Sequence, residues 1–180
     1  TKVYTVAVTG TCDGGLLHPK ISSDGTKVFF SERTLETPST WRLVVCDIEF
    51  VGTPSVSGCT NHSPAVSDIF YESHACFDVV CDELLFSCLC DADDDAFNDL
   101  DIGKYKISTT TLIKYMNTNE VWDEHAMILP DSRIVWASSS GNNSVLKLDY
   151  WIMNSDGSNK QRLTYYNDPF SKTYISAGVT

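Results

Sequence analysis

The 180-residue sequence predicts an all-β protein made of repeated four-stranded antiparallel units. One pattern recurs along the chain: a His, a short apolar run, an Asp-centred turn, and a second apolar run rich in aromatic residues. Each copy of this pattern is followed by two further short runs of strand-forming residues. No apolar run has the 3.6-residue period of an amphipathic helix. These three observations favour small antiparallel sheets that follow one another along the chain.

The recurring pattern occurs three times. Its copies are HPKISSDGTKVFFS (18–31), HACFDVVCDELLFS (74–87) and HAMILPDSRIVWAS (125–138). They begin at His18, His74 and His125, so successive copies start 56 and 51 residues apart. Two apolar runs on either side of a turn are typical of a β-hairpin, so each copy predicts the first two strands of a unit.

Two further strands are predicted after each hairpin. They lie at 41–50 and about 53–58 in the first unit, at 103–108 and 111–117 in the second, and at 148–154 and 160–166 in the third. Four short antiparallel strands joined by turns make one blade of a β-propeller. The expected fold is therefore an all-β β-propeller of four-stranded antiparallel blades.

The domain organisation follows from these repeats. They span about 16–60, 72–118 and 123–167, and flanking strands are expected at 2–10 and 172–180. We expect a single β-propeller domain or propeller segment over residues 1–180, with about three to four blades. Because a closed propeller needs at least four blades, the chain is expected to be part of a larger propeller, with a compact four-bladed form as the alternative.

The third repeat carries a family resemblance. EHAMILPDSRIVWASS followed by LDYWIMNSDGSNKQRLT resembles the TolB-like (WD-like, SPDG-type) β-propeller repeat, with a weaker match in the first repeat and the weakest in the second. Ser132 stands where that repeat usually has the turn Gly. The resemblance implies that Asp156-Gly157 closes the outer hairpin of a blade. It also implies an extracellular or periplasmic binding module.

The composition narrows the class of partner. A net charge of −11 argues against nucleic acid and anionic membranes, because both require basic patches. No apolar run reaches the length of a membrane span, so no membrane insertion is expected. The seven cysteines form no zinc-binding pattern, and disulfides and buried thiols both remain open.

The three histidines are the first candidate site. In a propeller, His18, His74 and His125 would each lie where the chain enters the innermost strand of a blade. The loops 32–40, 88–102 and 139–147 would lie on the same face of the propeller. Imidazoles in this arrangement are candidate ligands for a transition metal or an anion. The alternative is that each His has a structural role and bonds neighbouring backbone.

Two aromatic residues precede strands that carry these histidines. Tyr71 and Trp122 are candidates for stacking on a sugar ring at the same rim. Packing in the core is the alternative for both residues.

An acidic loop is the second candidate site. Asp91, Asp93 and Asp95 match the first three ligand positions of a calcium loop, and Asp99 and Asp101 are candidates for the later ligands. The match is incomplete, since Ala96 and Ile102 replace the usual Gly and Glu. The alternative is a solvated acidic loop that binds no Ca²⁺.

The sequence favours an interaction protein over an enzyme. No G-x-S-x-G, P-loop or H-E-x-x-H motif occurs. Asp123, Glu124 and His125 are adjacent, but neighbours in a strand are expected to point to opposite faces. We expect a non-enzymatic scaffold that binds a protein or glycan, or that assembles with itself through exposed blade edges, because unpaired edge strands recruit other strands. The alternative is the propeller part of an enzyme, such as a metal-assisted polysaccharide lyase or the gating domain of a serine peptidase.

Overall fold

The computed structural model describes residues 15–34, 40–64, 70–89, 99–116, 118–142, 144 and 146–168. Within these residues the chain forms twelve strands and no helix, which confirms the all-β prediction. The flanking strands predicted at 2–10 and 172–180 lie outside the described residues. No helix in the described part of the chain is long and apolar enough to cross a membrane.

The twelve strands form three four-stranded antiparallel sheets, one from each repeat. The first sheet contains β1 (Leu16–Ile21), β2 (Lys27–Arg33), β3 (Trp41–Glu49) and β4 (Ser55–Asn61). The second contains β5 (Tyr71–Cys76), β6 (Glu83–Cys88), β7 (Asp101–Lys106) and β8 (Thr111–Lys114). The third contains β9 (Asp123–Ile128), β10 (Ile134–Ser138), β11 (Asp149–Met153) and β12 (Gln161–Arg162). In each sheet the spatial order of the strands is their order in the chain.

Short polar residues close the hairpins in the way that the sequence predicts. Asp24 Oδ1 accepts the backbone N–H of Thr26 at 3.0 Å, and Asp131 Oδ1 accepts that of Arg133 at 3.2 Å. Ser132, which replaces the usual turn glycine, has a φ of 67°. Its conformation is therefore the left-handed one that glycine adopts at no steric cost.

Two apolar cores hold the three sheets together. The first core packs one face of the first sheet on the second sheet and includes Phe29, Leu43, Val45, Tyr71, Leu84 and Phe86. The second core joins the second and third sheets and includes Leu85, Ile102, Met116, Ile134, Trp136 and Met153. Burial of each such side chain contributes roughly 1.5–3 kcal/mol to stability.

The first strands of the three sheets converge. Sheets that pack face to face are about 10 Å apart, so the outer two of three parallel layers would be separated by about 20 Å. The rings of His18 in β1 and His125 in β9 are only 6.0 Å apart between centroids. The three sheets are therefore close together at their first strands, rather than evenly spaced as in a flat stack.

Two disulfides join cysteines in the described part of the chain. Cys46 in β3 is bonded to Cys59 in β4, and Cys76 at the end of β5 is bonded to Cys81 in the following turn. The sequence left open whether the cysteines form disulfides or remain buried thiols, and these four form disulfides. Disulfides of this kind are typical of proteins in an oxidising environment.

Candidate functional site

A β-bulge in the first strand of each sheet sets the direction of the nearby side chains. The pairing of β1 with β2 shifts between Leu17 and Lys20, and β5 and β9 contain corresponding shifts. His18 and His125 lie in these bulges with φ values of 50° and 53°. A bulge leaves an extra residue outside the ladder and redirects its side chain. Both imidazoles are consequently directed towards the place where the three sheets meet.

The strand pairing shows that His74 does not match the other two histidines in position. On the faces directed to the following sheet, Ser31 pairs with Leu17, Ser87 with Glu72, and Ala137 with Glu124. The residues that follow Leu17, Glu72 and Glu124 are His18, Ser73 and His125. His74 is one residue beyond this position.

Unequal turns are the reason for this displacement. The last backbone hydrogen bond of the hairpin joins Phe77 to Glu83 in the second sheet, but Leu129 to Arg133 in the third. The turn of the second hairpin is therefore longer. Equal spacing in the sequence does not correspond to equal position in the sheets.

Three side chains come together where the first strands converge. Nδ1 of His18 is 2.7 Å from Oε1 of Glu72, and Nε2 of His125 is 4.0 Å from the same oxygen. One potential ligand atom from each of the three residues lies within 4.8 Å of the others. One residue of this set comes from each sheet, so the cluster exists only when all three sheets are in place. We call His18, Glu72 and His125 the central cluster.

Glu72 is the buried member of the central cluster. Its exposed fraction is 6%, while His18 and His125 are open to solvent. Burial raises the pKa of the Glu72 carboxyl, and the imidazoles of His18 and His125 oppose that rise. A carboxylate in this position is stabilised by positive charge, whether from a protonated imidazole or from a bound cation.

Glu124 contacts His125 directly. Its Oε1 is 3.0 Å from Nδ1 of His125. Sequence neighbours in a regular strand point to opposite faces, and this rule excluded the pair in the analysis of the sequence. The bulge at His125 breaks the alternation, so the expectation of opposite faces is wrong at this position.

His74 is buried beside the central cluster, with its ring centroid 6.3 Å from that of His125, and it is not accessible to solvent. The hydroxyl of Ser87 donates its proton to the carbonyl oxygen of Asp123 at 3.1 Å, so it accepts from Nε2 of His74, 2.6 Å away. Burial, with added repulsion from His125 and His18, lowers the pKa of His74 to about 3. His74 is therefore a neutral residue that holds the hydroxyl of Ser87, and Ser87 connects the second sheet to the third.

The two aromatic candidates are at different depths. Tyr71 is 2% exposed, its ring packs edge-on against Phe86, and its hydroxyl donates to the carbonyl oxygen of Pro64. It belongs to the core and offers no surface for a sugar. Trp122 is half-buried, and its backbone N–H donates to Oγ of Ser139 at 2.9 Å.

The acidic candidates are only partly within the described residues. Asp91, Asp93 and Asp95 lie outside them. Asp99 and Asp101 are buried, and Oδ1 of Asp101 accepts the backbone N–H of Thr118 at 3.4 Å. Asp101 also begins β7, where it pairs with Cys88. Its carboxylate therefore connects β7 to the segment that leads into the third sheet.

A second surface of interest is the face of the third sheet that points away from the second. Met127, Val135 and Ile152 are paired across this face, and Ala137 is paired with Tyr150. Met127 is 66% exposed and Tyr150 is 51% exposed. A cavity of about 560 Å³ beside Tyr150 is lined also by Leu148, Tyr166, Glu124 and His125. We call this surface the open face.

The matching faces of the other two sheets are covered. Phe29 and Leu43 in the first sheet and Leu85 and Ile102 in the second are fully buried by the sheet that follows. On the open face Ile152 and Ala137 are also buried, but Tyr150, which occupies the strand position of Leu43 and Ile102, is accessible to solvent, and so is Met127.

Reasoning from the sequence did not identify Glu72, and it set Glu124 aside because neighbours in a strand were expected to point to opposite faces. A signal was present, because acidic residues precede the histidines in both YESH and DEH. Matching the two repeats on these acids instead of the histidines would have brought Glu72 and Glu124 into the same position. In comparisons with known proteins, no family model and no curated sequence matches the chain.

Proposed function

We propose that the three sheets are consecutive blades of a β-propeller and that the chain is a non-enzymatic interaction module. Two features support the propeller. Each sheet packs through one face on the first strand of the next, and the first strands of sheets one and three approach each other at His18 and His125. This radial arrangement is the one that propeller blades adopt around a central axis.

The single observation that carries the interaction function is the open face. The strand position of Tyr150 is fully buried in the other two repeats, where it is occupied by Leu43 and Ile102, but Tyr150 is 51% exposed and Met127 on the same face is 66% exposed. Contiguous exposed apolar surface on a soluble protein marks an interaction site. Aromatic residues and Met are enriched in the cores of such interfaces.

The partner that fits this surface is a second copy of the chain. A face that binds its own copy through a two-fold axis needs only to be apolar and self-complementary, and dimers of this kind are the commonest oligomers. Ala137 supports an apolar contact, because it occupies the position at which Ser31 and Ser87 hydrogen bond to the following sheet. The open face thus lacks the hydroxyl that joins one sheet to the next in the described repeats.

Sedimentation equilibrium of the full chain tests this function. We expect a monomer–dimer equilibrium at physiological salt that Met127→Glu shifts towards the monomer by at least about tenfold, since the new carboxylate must be desolvated. Val51→Glu is the matched control, because it adds the same charge at an exposed apolar residue in the β3–β4 turn.

Two outcomes would contradict the proposed function. A wild-type chain that remains monomeric up to several hundred micromolar would show that the open face does not bind a second copy of the chain. A dimer that Met127→Glu and Val51→Glu weaken equally would place the contact elsewhere.

The two disulfides support an extracellular or periplasmic location for the module, and this location is part of the proposal.

A further inference from the structure

We propose that the central cluster binds one divalent transition metal ion through Nδ1 of His18, a carboxylate oxygen of Glu72 and Nε2 of His125. Two imidazole nitrogens and one carboxylate oxygen are a ligand set that Zn²⁺ accepts, usually with water in the remaining position. Metal binding here goes beyond self-association, because its ligands come from the convergence of the first strands and not from Met127 or Tyr150. His125 and Glu124 also line the cavity beside Tyr150, so the two functions are distinguished by their readouts, which are ion stoichiometry for one and sedimentation for the other.

The distances between the ligand atoms are close to those that a metal ion requires. Metal–ligand bonds of about 2.0–2.2 Å in tetrahedral geometry place ligand atoms about 3.3–3.6 Å apart. The observed separations from Oε1 of Glu72 are 2.7 Å to His18 and 4.0 Å to His125. Binding therefore requires the first pair to open and the second to close by less than about 1 Å. The two imidazole nitrogens, which lie within 4.8 Å of each other, must also reach this separation, and rotation of the exposed imidazole rings and of the Glu72 carboxylate supplies these changes.

The contact with Glu124 prepares His125 for this role. Because Oε1 of Glu124 is 3.0 Å from Nδ1, that nitrogen carries the proton of the neutral imidazole. The lone pair is then on Nε2, the nitrogen that faces Glu72. Nδ1 of His18, 2.7 Å from Glu72, carries a proton by the same argument, and metal binding moves that proton to Nε2 of the ring or releases it to solvent. Metal-bound histidines regularly donate their second ring N–H to a carboxylate, which fixes both the tautomer and the direction of the ring.

The exposure of the three residues also suits a metal ion. Glu72 is buried, whereas the side chains of His18 and His125 are 40% and 59% exposed. An ion can enter from the solvent side, and it would then neutralise a carboxylate that is costly to bury as an anion. His74 and Ser87 close the inner side of the cluster through their own hydrogen bond.

Titration of the full, disulfide-bonded chain with Zn²⁺ and Co²⁺ tests this site. We expect one ion per chain by isothermal calorimetry. We expect His125→Gln and Glu72→Gln to weaken binding by at least about tenfold to a hundredfold. Glu124→Gln keeps all three ligands, so we expect it to weaken binding less than either ligand variant does. His62→Gln is the matched control, since it removes the remaining histidine of the chain, which lies after β4 and outside the central cluster.

Several results would overturn the metal site. These are the absence of stoichiometric binding by the wild-type chain, equal loss of binding in His62→Gln and His125→Gln, and thiolate charge-transfer bands in the Co²⁺ spectrum, which would place the ion on cysteine. Because Glu72 is buried, its variant is checked by circular dichroism. If that variant does not fold, the solvent-exposed His125 decides the result.

Discussion

At the scale of single residues, the buried carboxylates are the side chains that depend most on hydrogen-bond donors or positive charge around them. Asp149 begins β11, its side chain is inaccessible, and it accepts hydrogen bonds from Nη2 of Arg162 at 2.6 Å, Oγ1 of Thr164 at 2.9 Å and the backbone N–H of Tyr166 at 2.7 Å. It thereby holds β12 and the segment after it against β11. Glu72 has fewer hydrogen-bond donors around it than Asp149 has, and this is consistent with the proposal that its carboxylate binds a metal ion.

Asp149→Ala is expected to destabilise the protein by about 3 kcal/mol, because Arg162, Thr164 and the backbone N–H of Tyr166 all lose the buried carboxylate that accepts their hydrogen bonds. Urea unfolding of the variant and of wild type at neutral pH measures this loss. The control is Asp131→Ala, which removes an exposed carboxylate that also pairs with an arginine, Arg133. An equal loss in the two variants would show that burial of the Asp149 network contributes nothing.

The contribution of Asp149 is expected to depend on pH. Burial raises the pKa of this carboxyl. The hydrogen bonds from Arg162, Asn142, Thr164 and the Tyr166 backbone lower the pKa by more than burial raises it, so the pKa in the folded protein is below its ordinary value. The unfolded chain then binds the proton more readily, and the stabilisation is complete above about pH 4 and lost as pH falls through the folded-state pKa. Unfolding of wild type and Asp149→Asn between pH 7 and pH 2 should therefore converge at the acid end. A difference that grows on acidification would contradict this account.

At the scale of elements, the hairpins determine which side chains can meet. The β5–β6 hairpin has a longer turn than the β9–β10 hairpin, and this moves His74 into the interior, so the second sheet contributes Glu72 and not a histidine to the central cluster. The β11–β12 hairpin is held from outside its own sheet, because the hydroxyl of Tyr115 donates to the carbonyl oxygen of Ser155 at 2.6 Å. Turn geometry and contact between sheets are therefore coupled at this hairpin.

Gly157→Ala tests that coupling. Gly157 has a φ of 85°, and an added Cβ would be 2.6 Å from Cδ1 of Tyr115. We expect a loss of about 2–4 kcal/mol, the sum of backbone strain and overpacking. Gly25→Ala is the matched control, since Gly25 has a φ of 73° and open space around it, so its variant reports strain alone. Equal thermal destabilisation of the two variants would exclude the contact with Tyr115 as a cause.

At the scale of the whole molecule, charge and apolar surface act against each other. The chain carries a net charge of −11, so two copies repel one another, while the open face favours their association. The Debye length falls from about 10 Å at 0.1 M salt to about 3 Å at 1 M, and the repulsion is screened accordingly. The outcome of this balance is a property of the assembled sheets and not of any one repeat.

Self-association is therefore expected to strengthen with salt. The dimer dissociation constant of the wild-type chain should fall between about 50 mM and about 500 mM NaCl, because screening removes repulsion and leaves the apolar contact. Sedimentation equilibrium over this range measures the trend. Association that weakens as salt is added would indicate an interface held by ion pairs, which the open face does not provide.

The sequence by itself determined the all-β class, the three repeats and the four strands in each. Local chemistry is sufficient for these predictions, because the Asp-centred turns and the apolar runs between them act over a few residues. It also identified His18 and His125 as candidate ligands. It left two roles open for Tyr71, sugar binding and packing in the core, and it did not predict that Glu72 and Glu124 would join the site.

Only the tertiary structure decided those points. The partners of Glu72 come from two other sheets, more than fifty residues away in each direction, and no local pattern specifies such a distance. The bulges at His18 and His125 turn side chains that regular alternation would separate, and the long turn before β6 moves His74 out of register. Position in this cluster depends on how the sheets pack and on single-residue irregularities of pairing, and spacing along the chain records neither of them.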